Sequence, residues 1–203
     1  MKMKLIFTSY GLTTRKGREL IGEEIAKDQD ISRKKIFIFH EPFFSTECLI
    51  KRTCLEMGFE ESNIIFSGYQ SSNQDLLDMD YIYVGSGNTF EILTLLRERN
   101  LVDFIRAAVE RNCTYIGTSA GAIIAGSSVE EAVRIDRNEV EMTDFQGLSL
   151  FRGIILPHYS ESELAEVVNC NPELKQKYDK ILSVDENEIL ILKDGIICRR
   201  VYQ

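Results

Sequence analysis

Thr114-Tyr115-Ile116-Gly117-Thr118-Ser119-Ala120-Gly121-Ala122-Ile123 carries a short apolar run into a Gly-x-Ser-x-Gly turn. A strand that enters such a turn and a helix that leaves it force the central side chain outward at the edge of a sheet. Gly117 and Gly121 suit the turn because strand and helix backbones approach there and a Cβ would collide. A serine hydroxyl is a weak nucleophile. It needs a fixed perch, a base within hydrogen-bond reach and donors for the oxyanion it creates. Taken alone, the string is equally a tight packing turn with a structural serine, so the rest of the chain decides.

Outward from this turn, short β-rich runs alternate with amphipathic segments. Strands are predicted at Lys4–Thr8, Ile36–Phe39, Ile64–Phe66, Tyr81–Val84, Tyr115–Gly117, Ile154–Leu156, Ile181–Val184 and Ile189–Leu192. Helical patterns occupy 15–28, 45–58, 71–78 and 89–111, the last with a break near Asn100. Near-continuous apolar strands separated by helices indicate an α/β fold, a mainly parallel sheet with helices on both faces. Ligands bind such sheets beyond the carboxyl ends of the strands, where Ser119 falls. At the end of the chain Asp194-Gly195 separates Ile189–Leu192 from Ile196–Val201, a β-hairpin whose tight turn takes positive φ. No repeat or linker interrupts residues 1–203, which are expected to form a single-domain three-layer sandwich.

The composition sets bounds. The 203 residues are 44% hydrophobic and 28% charged with a net charge of −8, the balance of a globular protein. Arg33-Lys34-Lys35 is the longest basic run, too sparse to follow a phosphate backbone, so nucleic acid is not an expected partner. The apolar stretch after Met1 is too short for a signal peptide or a membrane span. Cys48, Cys54, Cys113, Cys170 and Cys198 are odd in number and contain no CxxC pair. They read as small buried hydrophobes in a reducing cytoplasm, with no disulfide framework and no metal site. Monomer and homodimer are both open.

A base for Ser119 must come from His40 or His158, the two histidines. His158 follows the apolar run Ile154-Ile155-Leu156-Pro157, and a strand of the same parallel sheet would place it on the Ser119 edge. His40 ends an earlier strand, in Phe39-His40-Glu41-Pro42, and reads as structural. Asp185, Glu186 and Glu188 follow Ile181–Val184, and read either as a solvated charge cluster in a turn or as the source of the acid that orients the imidazole. The Ala120 amide at the start of the next helix is a natural oxyanion donor. Val84-Gly85-Ser86-Gly87-Asn88-Thr89, between a strand and a helix, can supply a second. By itself this loop would also suit a phosphate, but it lacks the P-loop lysine and the full GxGxxG spacing.

Together, Gly85-Ser86-Gly87-Asn88-Thr89, Gly117-Thr118-Ser119-Ala120-Gly121, Pro157-His158-Tyr159 and Asp185-Glu186-Asn187 resemble the dipeptidase E family of serine peptidases, which includes aspartyl dipeptidases and the more distant cyanophycinases. The resemblance runs in order through most of the chain. It implies a fold similar to class I glutamine amidotransferases and hydrolysis of small peptides through an acyl-enzyme. In that pattern Ser119 attacks, His158 transfers the proton, and Glu186 orients the histidine, with Glu188 as the fallback. Gly87 and Ala120 supply oxyanion amides, Ser86, Asn88 and Thr89 are candidates for substrate contact, and no metal or cofactor is implied. Two features depart from the family. Ser86 replaces the middle glycine of the loop, and Ser160-Glu161-Ser162-Glu163 is short and acidic where aspartyl dipeptidases carry basic residues. An aspartyl preference therefore does not carry over, unless Arg134 or Arg137 compensates. An α/β-hydrolase esterase, with Asp136 or Asp144 as its acid, and a non-catalytic small-molecule-binding protein on the same scaffold are the alternatives.

Overall fold

A computed structural model describes residues 3–40, 44–70 and 72–202. Pro42, residue 71 of the 71–78 segment and the outermost ends of the 1–203 span lie outside them. Five strands, β1 (Lys4–Thr8), β2 (Ile36–Phe39), β3 (Ile64–Phe66), β4 (Tyr81–Val84) and β5 (Thr114–Thr118), run parallel. The helices between them are α1 (Arg15–Ile25), α2 (Phe44–Glu56), α3 (Thr89–Glu98) and α4 (Val102–Glu110). After β5 come α5 (Ala120–Ile124), β6 (Ile154–Pro157), α6 (Glu161–Cys170), α7 (Leu174–Lys177) and β7 (Ile181–Val184). The antiparallel strands β8 (Glu188–Lys193) and β9 (Ile196–Val201) close the chain.

The main sheet has seven strands in the order β3-β2-β4-β5-β1-β8-β9. Its central strands β1, β2, β4 and β5 are buried on both faces, which is why they read as unbroken apolar runs. Alternate side chains face opposite cores. Leu5, Phe7, Ile82, Val84 and Tyr115 pack with α3, α4 and α5, whereas Ile6, Ile36, Ile38 and Ile116 pack with α1 and α2. The hairpin turn has positive φ at both Asp194 (51°) and Gly195 (83°), as Asp-Gly demands.

Several expectations are corrected. β6 and β7 do not join the main sheet; they form their own two-stranded parallel sheet, in register from Ile154↔Ile181 to Pro157↔Val184. The 15–28 helix ends at Ile25, whereas 89–111 divides as expected, where Asn100 turns left-handed at φ 54°. Asn73–Asp78 is a 3₁₀ helix opened by a capping box between Ser72 and Asp75. Cys54 and Cys113 are buried, and burial pushes the Cys54 thiol up to about 12. Cys48, Cys170 and Cys198 are exposed, because they lie on outward faces of α2, α6 and β9. Among the described residues no helix is long and apolar enough to cross a membrane.

Candidate active site

The turn after β5 is strained at its centre. Ser119 has φ 50° and ψ −109°, a conformation that L-residues hold only when the surrounding structure dictates it. That structure is visible. The Ser119 N–H donates to Thr8 O at 2.9 Å, and the Ala122 and Ile123 N–H groups donate to Ser119 O. A Cβ on Gly121 would fall 2.1 Å from Val84 O, and one on Gly117 would fall 2.6 Å from Gly121 O. The two glycines therefore let the elbow settle against β4, and the Ser119 side chain points away from the packing.

There it meets His158. Ser119 Oγ lies 3.0 Å from His158 Nε2, although the two residues end strands of different sheets. A hydrogen-bonded link between those sheets is Ser9, which the sequence reading missed. Its fully buried hydroxyl donates to Val184 O at 2.7 Å and accepts from the His158 N–H at 2.9 Å. The only signal available for it was position, directly after a strand that neighbours the elbow strand. His158 itself turns at φ 66°, and α6 follows through a capping box in which Ser160 and Glu163 bond reciprocally. The acidic stretch 160–163 is thus a helix start, legible as Ser-x-x-Glu. The Ser160 hydrogen bonds hold the Glu163 carboxyl below its usual range.

The three acids separate cleanly. Glu188 pairs with Arg199 and accepts from the Asp185 N–H, and Asp185 accepts from the Asn187 N–H at 2.6 Å. Glu186 is exposed and accepts from the Tyr10 hydroxyl at 2.8 Å. Among the described residues no carboxylate is hydrogen-bonded to the His158 imidazole. Burial lowers the His158 pKa, opposed by the charges of Glu186 and then Asp136. Asp136 lies on the other side of the site, where its Oδ2 accepts from the Thr89 N–H (2.9 Å) and hydroxyl (2.6 Å).

The glycine-rich loop runs from β4 to α3 beside the elbow. Gly87 takes φ 149°, and the Gly121 N–H donates to Gly85 O. Ala120 opens α5, where first-turn N–H groups have no partner within the helix. Asn88 and Thr89 are occupied in holding the loop. Asn88 caps α3 through the Phe90 and Glu91 N–H groups and donates to Arg137 O, while Thr89 is buried against Asp136. Ser86 remains partly exposed. His40 packs beside Gly85, where a Cβ would come within 3.1 Å of its ring, while Arg134 pairs with Glu131. Beside His158 a cleft of about 220 Å³ is lined by Ser160, Glu163, Asp185, Glu186 and Asn187. Among the described residues no cluster of three or more His, Cys, Asp or Glu is placed to hold a metal ion.

A parallel sheet with a strained serine turn, a facing histidine and a glycine-rich loop at its carboxyl edge has the layout of a serine hydrolase. The chain belongs to peptidase family S51, whose profile matches residues 51–199. Peptidase E of Haemophilus influenzae (strain PittGG) is 33% identical over 132 residues, 57% of this chain and 54% of that one. Peptidase E of Nostoc sp. (strain PCC 7120) is 31% identical over 128 residues, 63% of this chain and 50% of that one. The chain thus matches about half the length of these relatives. Two solved structures share the fold end to end. A candidate peptidase E of Listeria monocytogenes EGD-e superposes with a TM-score of 0.73 at 19% identity, covering 100% of both chains. A peptidase from an acI-B1 Actinobacterium gives 0.65 at 17%, covering 99% of this chain and 95% of that one.

Proposed function

We propose that residues 1–203 form one serine peptidase domain that hydrolyses small peptides in the cytoplasm. The observation that carries this reading is the 3.0 Å approach of His158 Nε2 to a strained Ser119 Oγ. Ser119 attacks the scissile carbonyl while His158 takes its proton, then gives it to the leaving amine. The Gly87 and Ala120 N–H groups receive the oxyanion. Water then releases the acyl group, with His158 again as base. Glu186 stabilises the imidazolium through its field, with Asp136 adding to it from the loop side.

Membership of the family favours this chemistry over an α/β-hydrolase esterase. The carboxylates beside His158 repel an acidic substrate group, which argues against an aspartyl preference on that side. Exposed, unpaired thiols at Cys48, Cys170 and Cys198 suit a reducing compartment. Assay of a dipeptide and tripeptide library with wild type and Ser119→Ala tests the proposal. Hydrolysis by wild type and none by the mutant is expected; equal turnover by both removes the assignment.

A further inference from the structure

The turn after β1, Ser9-Tyr10-Gly11, reaches both sides of the His158 region. Ser9 holds the backbone, as described. Tyr10 holds side chains: its hydroxyl donates to Glu186 Oε1 at 2.8 Å, and its ring meets the His158 imidazole edge-on, 5.2 Å between centroids at 65°. The turn itself is fixed. Gly11 has φ 51°, and a Cβ there would fall 2.1 Å from Thr118 Oγ1. Thr13 Oγ1 donates to Tyr10 O at 2.7 Å. Tyr10 is therefore 39% exposed but not free to wander.

Glu186 needs such a partner. It is a solvent-facing carboxylate on a turn, and among the described residues Tyr10 is its hydrogen-bonding side chain. Because Glu186 makes no hydrogen bond to the imidazole, it acts on His158 through its field. That field falls with distance and is screened by water, so where the carboxylate is held sets its effect.

We propose that Tyr10 is a positioning residue of the active site, its phenol fixing the Glu186 carboxylate near His158 and its ring edge fixing the imidazole that faces Ser119. This rests on the peptidase reading of the site. The phenol's own pKa is raised by the Glu186 hydrogen bond, so it stays protonated as a donor. Among the described residues, the titratable groups that share the surroundings of His158 are Tyr10, Asp136, Glu163, Asp185 and Glu186. Tyr10→Phe alters the anchoring of Glu186 alone among them and keeps the ring.

The probe is a fluorophosphonate–rhodamine reagent, which labels an activated serine without a known peptide. Tyr10→Phe is expected to lower the maximal labelling rate about tenfold and leave the half-saturating probe concentration within about twofold. Its acid limb should move to the same side as that of Glu186→Gln. In the Glu186→Gln background, Tyr10→Phe should add nothing beyond about twofold, since its effect runs through that carboxylate. Tyr10→Leu should be slower than Tyr10→Phe, because the ring contact goes too. Labelling of Tyr10→Phe at the wild-type rate, or losses that multiply with Glu186→Gln, overturns the inference. A second measurement separates it from the peptidase reading: NMR titration of ¹⁵N-labelled histidine in the Ser119→Ala protein. Tyr10→Phe and Glu186→Gln should both move the His158 midpoint downward there. An unmoved midpoint in Tyr10→Phe overturns the role of Tyr10, whereas failure of wild type to label at Ser119 overturns only the nucleophile.

Discussion

Ser119 sits in a backbone conformation that costs on the order of 1–3 kcal/mol for a residue with a Cβ. The cost is met by the packing of β1, β4 and α5 around it, so the strain belongs to the site and not to a loose turn. His158 carries the complementary stress. It is half-buried, and burial outweighs the attraction of Glu186 and Asp136 for its charged form, so its pKa lies below the ordinary 6.5. The sign of the pH dependence follows. The neutral imidazole, the form that accepts the Ser119 proton in the proposed mechanism, persists to lower pH than in a free histidine. Activity is lost only as pH falls through that depressed pKa. The acid limb of kcat/KM is expected to be centred below 6.5. Glu186→Gln removes a charge that favours the imidazolium, so it should shift the limb further down and lower kcat as well. A pH–rate profile with a peptide substrate checks both, and a limb centred above 6.5 would contradict the burial argument.

Among the elements, Gly22 on α1 and Gly121 on α5 have opposite meanings. Gly121 has no room: an added Cβ meets the Val84 carbonyl of β4 at 2.1 Å, backbone that cannot step aside. Gly121→Ala should destabilise the protein by about 3 kcal/mol or more, lowering Tm by about 6–12 °C. Gly22, inside α1, meets only the flexible end of Met57 at 3.4 Å. Gly22→Ala should therefore stabilise by about 0.5–1 kcal/mol through helix propensity, and thermal melts of the pair test the contrast. The glycine-rich loop depends on Asp136 in a similar way. Asp136→Ala strips the buried Thr89 N–H and hydroxyl of their acceptor, at a cost of about 2 kcal/mol, whereas Asp136→Asn keeps an acceptor and should melt closer to wild type. Much of this level was legible in the sequence. The doubly buried strands declare themselves as apolar runs, and Asp194-Gly195 declares its turn. The five residues of α5 were legible only through the elbow motif, because Ala120-Gly121-Ala122-Ile123-Ile124 is buried on every side and has no polar face to give a helical period. The Ser160–Glu163 cap was readable, but its acidic residues were weighed against an aspartyl substrate instead of as a helix start.

The molecule as a whole brings Ser119 and His158 together by a route the sequence does not display. Ile154–Pro157 is apolar in the same way as the central strands, and a four-residue run carries no mark of which sheet it joins. Its pairing with Ile181–Val184 in a second sheet depends on contacts far apart in the chain. The expectation that His158 faces the elbow is met in the structure, but through the Ser9 bridge and not through a shared sheet edge. The choice among Asp185, Glu186 and Glu188 was hidden for the same reason, since Arg199 on the outer strand β9 is what takes Glu188 away. This architecture makes the active-site geometry a property of the joint between sheets. Ser9→Ala removes a fully buried hydroxyl that bonds both His158 N–H and Val184 O, while His158 N–H keeps its own bond to Val184 O. The loss in stability should be modest, about 1–2 kcal/mol, or about 2–8 °C in Tm. The loss in Ser119 labelling by a fluorophosphonate should be larger than that stability change alone implies, because His158 then rides on a sheet free to shift against the nucleophile. Cys198→Ser on the outer face of β9 should leave both measurements near wild type. If Ser9→Ala melts lower but labels at the wild-type rate, the small sheet is held in place by its packing against α5, and the hydroxyl bridge adds stability without aiming the base.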